Sequence, residues 1–341
     1  MRVLSVVTAA ALIVSCAANG GAPQTTPVGV STSTATESPA TASALPNVTP
    51  AASATTAGAP LAHASPTGSS EQTADPASSA SAARLPPVMA SAALSHVFVI
   101  VMENMSTSEA LAGPYIRYLS STYALATSYH GVGRPSLPNY LALTSGETFG
   151  IQDDGYHALA PGGIGQQLTR AGISWRAYME GMTKGCTDSP YPYVVKHNPF
   201  AYYGGSCPTN VVPLSRFGAD LRADPPRFVW VTPDMCHDGH DCAVSQADAW
   251  LAGFVPQILE SPAWRDGGAL FVVWDEGDPK ADNTMPLITI TAGQTTHQSS
   301  QPYDHYSLLA TIEDLLDLSR LGHAIGASRL SDLVPALNVR R

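Results

Sequence analysis

"SHVFVIVMEN", residues 95–104, runs through six consecutive apolar residues and stops at two polar ones, Glu103 and Asn104. A strand with one wet face alternates apolar and polar residues, so an unbroken run needs cover on both faces, as in the middle of a parallel sheet. Four more stretches read as strands: "ISWRAYMEGM" (173–182), "RFVWVTPDMCHDGHD" (227–241), "GALFVVWDEGD" (268–278) and "MPLITITAG" (285–293). Between them, "STSEALAGPYIRYLSSTYALA" (106–126), "SQADAWLAGFVPQIL" (245–259) and "HYSLLATIEDLLDL" (305–318) have helical spacing, the last with Leu308, Leu309, Ile312, Leu315 and Leu316 on one face. Strands alternating with helices predict an α/β fold with a mostly parallel central sheet sandwiched by helices.

One large α/β domain is expected over 94–341, about 250 residues, enough for one large core. Upstream, "VLSVVTAAALIV" (3–14) is shorter than the roughly 20 residues of a membrane span and reads as part of a signal peptide over 1–15. "IVSC" ending at Cys16 resembles a bacterial lipobox, which would place a lipid anchor on Cys16; ordinary cleavage nearby is the alternative. From 16 to 93 the chain is mostly Ala, Ser, Thr, Pro and Gly, with no Lys or Arg between Arg2 and Arg84. With little apolar surface to bury, it is expected to be a flexible, disordered stalk. The expected location is exported, at the cell surface or membrane-anchored on the outer face, otherwise secreted.

A formal charge of -10 argues against a nucleic-acid partner, which needs clustered Lys and Arg. Beyond Cys16 there are four cysteines, an even number consistent with an oxidising compartment. The expected pairs are Cys186–Cys207 and Cys236–Cys242; neither spacing is the C-x-x-C of a thiolate metal site.

Polar residues gather where strands end. Glu103 and Asn104 close the first strand, Asp275 and Glu276 close "LFVVW", and Asp234, His237, Asp238, His240 and Asp241 follow "FVWVTP". In open parallel sheets ligands bind at the carboxyl ends of strands, so the three clusters are expected to converge. Their oxygen-rich chemistry with occasional imidazole suits a divalent cation of unspecified identity and number. "GVGRPSLPNYLALTSG" (131–146) sets Ser136 at the start of a helix, where free N–H groups and the positive end of the dipole favour a phosphoryl group. A serine needs an adjacent base or a metal to act as a nucleophile.

"HVFVIVMENMS", "RPSLPNYLALTSG", "TPDMCHDGHD", "VVWDEGD" and "HYSLLATIEDLLDL", in this order, resemble the bacterial phosphoesterase family of acid phosphatases and phosphatidylcholine-type phospholipases C, within the alkaline-phosphatase-like superfamily. The resemblance implies metal binding by Glu103, Asn104, Ser136, Asp275 and Glu276, with Asp234 as an added ligand where the family often has asparagine. It implies attack on phosphorus by Ser136, with His305 and His237 contacting phosphate or protonating the leaving oxygen. Asn104, Arg134 and Asn139 are the expected phosphate contacts, Arg134 standing where histidine is common. The expected function is a metal-dependent phosphomonoesterase acting through phosphoserine. Alternatives are a phospholipase C or other phosphodiesterase, and a surface-displayed binding lipoprotein with a degenerate site. Asp153 and Asp154 read as a turn near the pocket, His157 and His197 as surface or satisfied polar groups, and "SPYPYVVKHNPFAYY" (189–203) as a loop closing over the site.

Overall fold

The computed structural model describes residues 94–278, 282–294 and 296–335. The expected signal peptide, Cys16 and the stalk lie outside the described residues. Nine strands among those residues form one sheet: β1 (His96–Met102), β2 (Ala124–His130), β3 (Trp175–Met179), β4 (Val211–Pro213), β5 (Phe228–Thr232), β6 (Gly268–Trp274), β7 (Thr284–Thr291), β8 (His297–Ser299) and β9 (Tyr303–Asp304). Their order is β4-β3-β5-β1-β6-β7-β2-β8, with β9 also on β2. The helices are α1 (Thr107–Ala110), α2 (Pro114–Thr122), α3 (Ser136–Ser145), α4 (Gly163–Arg170), α5 (Phe217–Ala223), α6 (Val244–Leu259), α7 (Pro262–Arg265) and α8 (His305–Leu315).

Every residue of β1 is buried, and it pairs in parallel with β5 on one side and β6 on the other. That central place explains its unbroken apolar run. β7 is the exception to parallel order, running antiparallel to both β6 and β2. Pro286 within it has no N–H for the ladder, and β2 shifts register between Ala126 and Tyr129 opposite it.

The helix expected over 106–126 is two helices and a strand. Gly113 and Pro114 break it, since the residue before a proline is driven from helical geometry. α2 restarts at Pro114, and Asp248 of α6 accepts the Ile116 N–H at 2.8 Å. "ALATSYH" then becomes β2, a strand through its pairing with β7, β8 and β9. No helix among the described residues is long and apolar enough to cross a membrane.

Register positions the site. Met102 pairs with Trp274, so Glu103 and Asp275 begin neighbouring loops at the same level, and the Asp275 N–H donates to the Met102 carbonyl at 3.0 Å. The loop after β5 folds back across them: the Glu103 N–H donates to the Asp238 carbonyl at 2.9 Å. The Cys236–Cys242 disulfide closes this loop, and Cys186–Cys207 ties the segment after β3 to the segment before β4. Gly239, at φ +97°, makes its turn; a Cβ there would come within 2.4 Å of the Met105 methyl.

Candidate active site

Two of the strand-end clusters, joined by Asp238 and His240 of the third, converge beside the N-terminus of α3. Ser136, its first residue, is 1% exposed, and its hydroxyl donates to Glu103 Oε2 at 3.2 Å. Asn104 takes φ +47°, a left-handed conformation that asparagine tolerates better than most residues. Its N–H donates to Asp275 Oδ1 at 3.3 Å, the same oxygen that accepts the Glu276 N–H at 2.6 Å. Glu103, Asn104, Ser136, Asp275 and Glu276 are thus brought into one site.

Acidity is concentrated beyond what the neighbouring cations offset. Burial first, then the Asp238 charge, pushes Glu103 well above the usual carboxylate range. Burial, then Glu103 and Glu276, does the same to Asp275. Asp238 rises to about 8 and Glu276 to about 7, each mainly through burial. Glu103 Oε1, Asn104 Oδ1, Asp238 Oδ2, Asp275 Oδ2 and Glu276 Oε2 are buried with no hydrogen-bond partner among the described residues. Buried carboxylates in this state are costly unless a positive charge is set among them. The donor set, oxygen-rich with an imidazole at its edge, fits a divalent cation.

That imidazole is His197, expected from the sequence to be a surface or satisfied polar group. It is 2% exposed and stacks on Tyr140 of α3 at 5.1 Å. Its Nε2 lies 3.1 Å from Glu103 Oε1 and its Nδ1 3.2 Å from Asp238 Oδ2, yet neither nitrogen is in a hydrogen bond. Burial holds the ring well below its ordinary pKa. Glu103, His197 and His240 each offer a ligand atom within 4.8 Å of the others. Lys196, next in the chain, donates to Asp154 Oδ2 at 3.0 Å and lies 3.2 Å from His240 Nε2. Both residues fall in "SPYPYVVKHNPFAYY", which contributes to the site itself as well as covering it.

Other expected site residues take supporting positions. His305, at the start of α8, is fully buried, with Nε2 2.6 Å from the Asp275 carbonyl and Nδ1 2.9 Å from the Tyr129 hydroxyl. A carbonyl only accepts, so Nε2 carries the proton and Nδ1 accepts from tyrosine; burial lowers the ring's pKa to about 4. Both nitrogens are taken up in holding the Asp275 turn rather than facing a phosphate. His237 is bonded elsewhere: its Nδ1 lies 3.0 Å from Glu180 Oε2 and 3.4 Å from Asp234 Oδ1. Asp234 is correspondingly apart from the Glu103 group, its Oδ1 accepting the N–H groups of Cys236 and His237.

Arg134 and Asn139 shape the approach to Ser136. The Arg134 guanidinium donates to the carbonyls of Gly277 and Asp278 at 2.8 and 2.9 Å and lies 3.6 Å from Glu276 Oε2. Asn139 accepts the N–H groups of Val132 and Gly133 and donates to the carbonyls of Gly133 and Pro135. Two of the three side chains expected on phosphate are bonded to backbone, Arg134 clipping the 275–278 turn and Asn139 folding the loop that delivers Ser136, while Asn104 Oδ1 has no hydrogen-bond partner among the described residues.

The fold is similar to that of a solved Vibrio parahaemolyticus protein in the alkaline phosphatase superfamily, with a TM-score of 0.51 at 14% identity over 69% of each chain. The phosphoesterase family model matches residues 92–319, and the chain belongs to that family. It is 29% identical over 256 residues to the phosphatidylinositol-3-phosphatase of Mycobacterium tuberculosis, covering 72% of this chain and 85% of that one. It is 26% identical over 265 residues to a probable acid phosphatase of Kluyveromyces lactis, covering 71% of this chain and 63% of the yeast protein. Against an acid phosphatase of Aspergillus fumigatus the identity is 24% over 259 residues, spanning 56% of the fungal protein.

Proposed function

We propose that the protein is an exported, metal-dependent phosphomonoesterase in which Ser136 is the nucleophile. The observation that carries this reading is the Ser136 hydroxyl at the head of α3, 3.2 Å from Glu103 Oε2, within a shell of buried carboxylates. The names of the relatives support a monoester: acid phosphatase and phosphatidylinositol-3-phosphatase both denote removal of a terminal phosphate.

Ser136 directs its proton at Glu103 Oε2, which leaves the Oγ lone pairs for phosphorus. As the Oγ–P bond forms, the hydroxyl proton passes to Glu103, the P–O bond to the leaving group breaks, and the leaving oxygen takes a proton from water. Water then attacks the phosphoserine, releasing phosphate and restoring the hydroxyl. A divalent cation held by Glu103, Asn104, Asp275 and Glu276 would supply charge stabilisation for the oxygens of the transferring group. His305 and Arg134 keep the Asp275–Glu276 turn in place, one from beneath and one from the side. The two disulfides support an exported protein. A lipid anchor at Cys16 and a stalk over 16–93 remain part of the proposal.

The test is phosphate release from an aryl phosphomonoester, wild type against Ser136→Ala, with divalent cation supplied. Loss of about a thousandfold or more in a folded variant is expected. Full activity in Ser136→Ala overturns the nucleophile, and an inactive wild type overturns the monoesterase.

A further inference from the structure

The N-terminus of α3 is unusually short of donors. An α-helix brings its first N–H groups to its N-terminus unpaired, but Pro135 at the cap and Pro138 at the third position have none. Ser136 and Leu137 supply what remains. The Leu137 N–H is covered: it donates to Asp154 Oδ1 at 3.1 Å. The other oxygen of the same carboxylate accepts from Lys196 Nζ at 3.0 Å.

Asp154 therefore bridges a helix-terminal N–H and an ammonium group, one residue along the chain from Ser136. The acidic pocket would otherwise repel the anion it serves, and the Lys196 charge acts on Glu103, Asp275 and Glu276. His197, buried with neither nitrogen in a hydrogen bond, is turned to the same place. A backbone N–H and a lysine converging on two oxygens of one carboxylate match what a phosphoryl group accepts.

Resting on the phosphoesterase reading, we infer that the Leu137 N–H and Lys196 Nζ form the phosphoryl-binding subsite, and that Asp154 occupies it as an internal stand-in which a phosphoester or phosphate displaces. The Asp154 side chain is 31% exposed and Lys196 16%, so the carboxylate can turn toward solvent while the ammonium stays. Asp153 pins the same turn, accepting the Gly155 N–H at 2.8 Å and lying 2.6 Å from His157 Nε2.

The sign of one substitution separates a stand-in from a brace. Asp154→Asn keeps an acceptor for the Leu137 N–H but removes the charge competing for Lys196. If Asp154 is a stand-in, inorganic phosphate binds more tightly, by about two- to fivefold, the span of partly exposed ion pairs, and KM for an aryl phosphate falls with it. If Asp154 only braces Lys196, phosphate binding weakens or stays unchanged, and the inference is overturned. Calorimetric phosphate titration of the full chain, made in the Ser136→Ala background, reads the subsite without turnover. Lys196→Met should weaken phosphate by about tenfold or more, and unchanged binding also overturns the inference. A wild type that neither turns over nor binds phosphate overturns both readings. A wild type that does both, with Asp154→Asn binding no tighter, overturns the displacement alone.

Discussion

His197 and Glu103 face each other across 3.1 Å, both sealed from solvent, with Asp238 on the far nitrogen of the ring at 3.2 Å. The imidazole is the group that separates two buried carboxylates at the floor of the site. Replacing it with alanine takes away that separation and the ring stacked on Tyr140. His197→Ala should reduce phosphatase activity and metal affinity by about 10- to 100-fold, as loss of groups around a metal typically does. It should also destabilise the fold by about 3 kcal/mol, because removing a buried ring leaves a cavity beside Tyr140. Urea denaturation and steady-state kinetics measure both, and wild-type kinetics with lowered stability would return His197 to a packing role.

Glu103, Asp238, Asp275 and Glu276 are all shifted toward their protonated forms, chiefly by burial and in the first three also by repulsion within the group. A cation that binds the folded chain among them stabilises it by mass action, about 2.7 kcal/mol at a hundred times its dissociation constant. Chelation should lower Tm, and restored divalent cation should raise it in proportion to the logarithm of concentration. Glu103→Gln combined with Asp275→Asn should abolish that dependence. A Tm indifferent to chelator and to every divalent cation tried would leave the buried acids without their expected partner.

His305 acts through Asp275. Its Nε2–H donates to the Asp275 carbonyl, so His305→Ala should lower kcat by about 10- to 100-fold with little change in KM. Since burial takes the ring to about 4, the variant should not remove a limb near pH 6.5 from the rate profile. His305→Asn, whose amide can donate, should recover part of kcat, whereas a proton-transfer role would show no such recovery.

The strand ends and the head of α3 were legible in the sequence because each is a local event. Glu103–Asn104 and Asp275–Glu276 each follow an apolar run, and Ser136 precedes helical spacing. His197 and Lys196 arrive from a single 3-10 turn (Val195–His197) and Asp154 from a bend, too short for any periodicity to fix which way a side chain points. The adjacent cation and imidazole in "VVKHNPF" were the available signal. His305 could be placed at the start of a helix, but the partners of its two nitrogens, Tyr129 and Asp275, come from β2 and from the loop after β6. β2 itself was hidden because "ALATSYH" carries no strand pattern of its own. Its neighbours in the sheet make it one.

Glu313 of α8 is fully buried, and its Oε1 accepts the Leu321 N–H at 2.9 Å while Oε2 has no hydrogen-bond partner among the described residues. Burial pushes its carboxyl from 4.5 up to about 8. The folded state therefore holds a proton that the unfolded state releases near 4.5, so unfolding sheds protons between these values. Stability falls with rising pH wherever the folded state binds more protons. This contribution is fully present below about 4.5 and is lost as pH climbs through about 8. Glu313→Gln keeps an acceptor for Leu321 and has no proton to lose. Its Tm should match wild type near pH 4.5 and exceed it near pH 8. Melting curves for the two proteins across that range decide the matter: convergence at low pH and divergence at high pH is the expected result, and curves that stay parallel throughout would mean that Glu313 is not the group responsible.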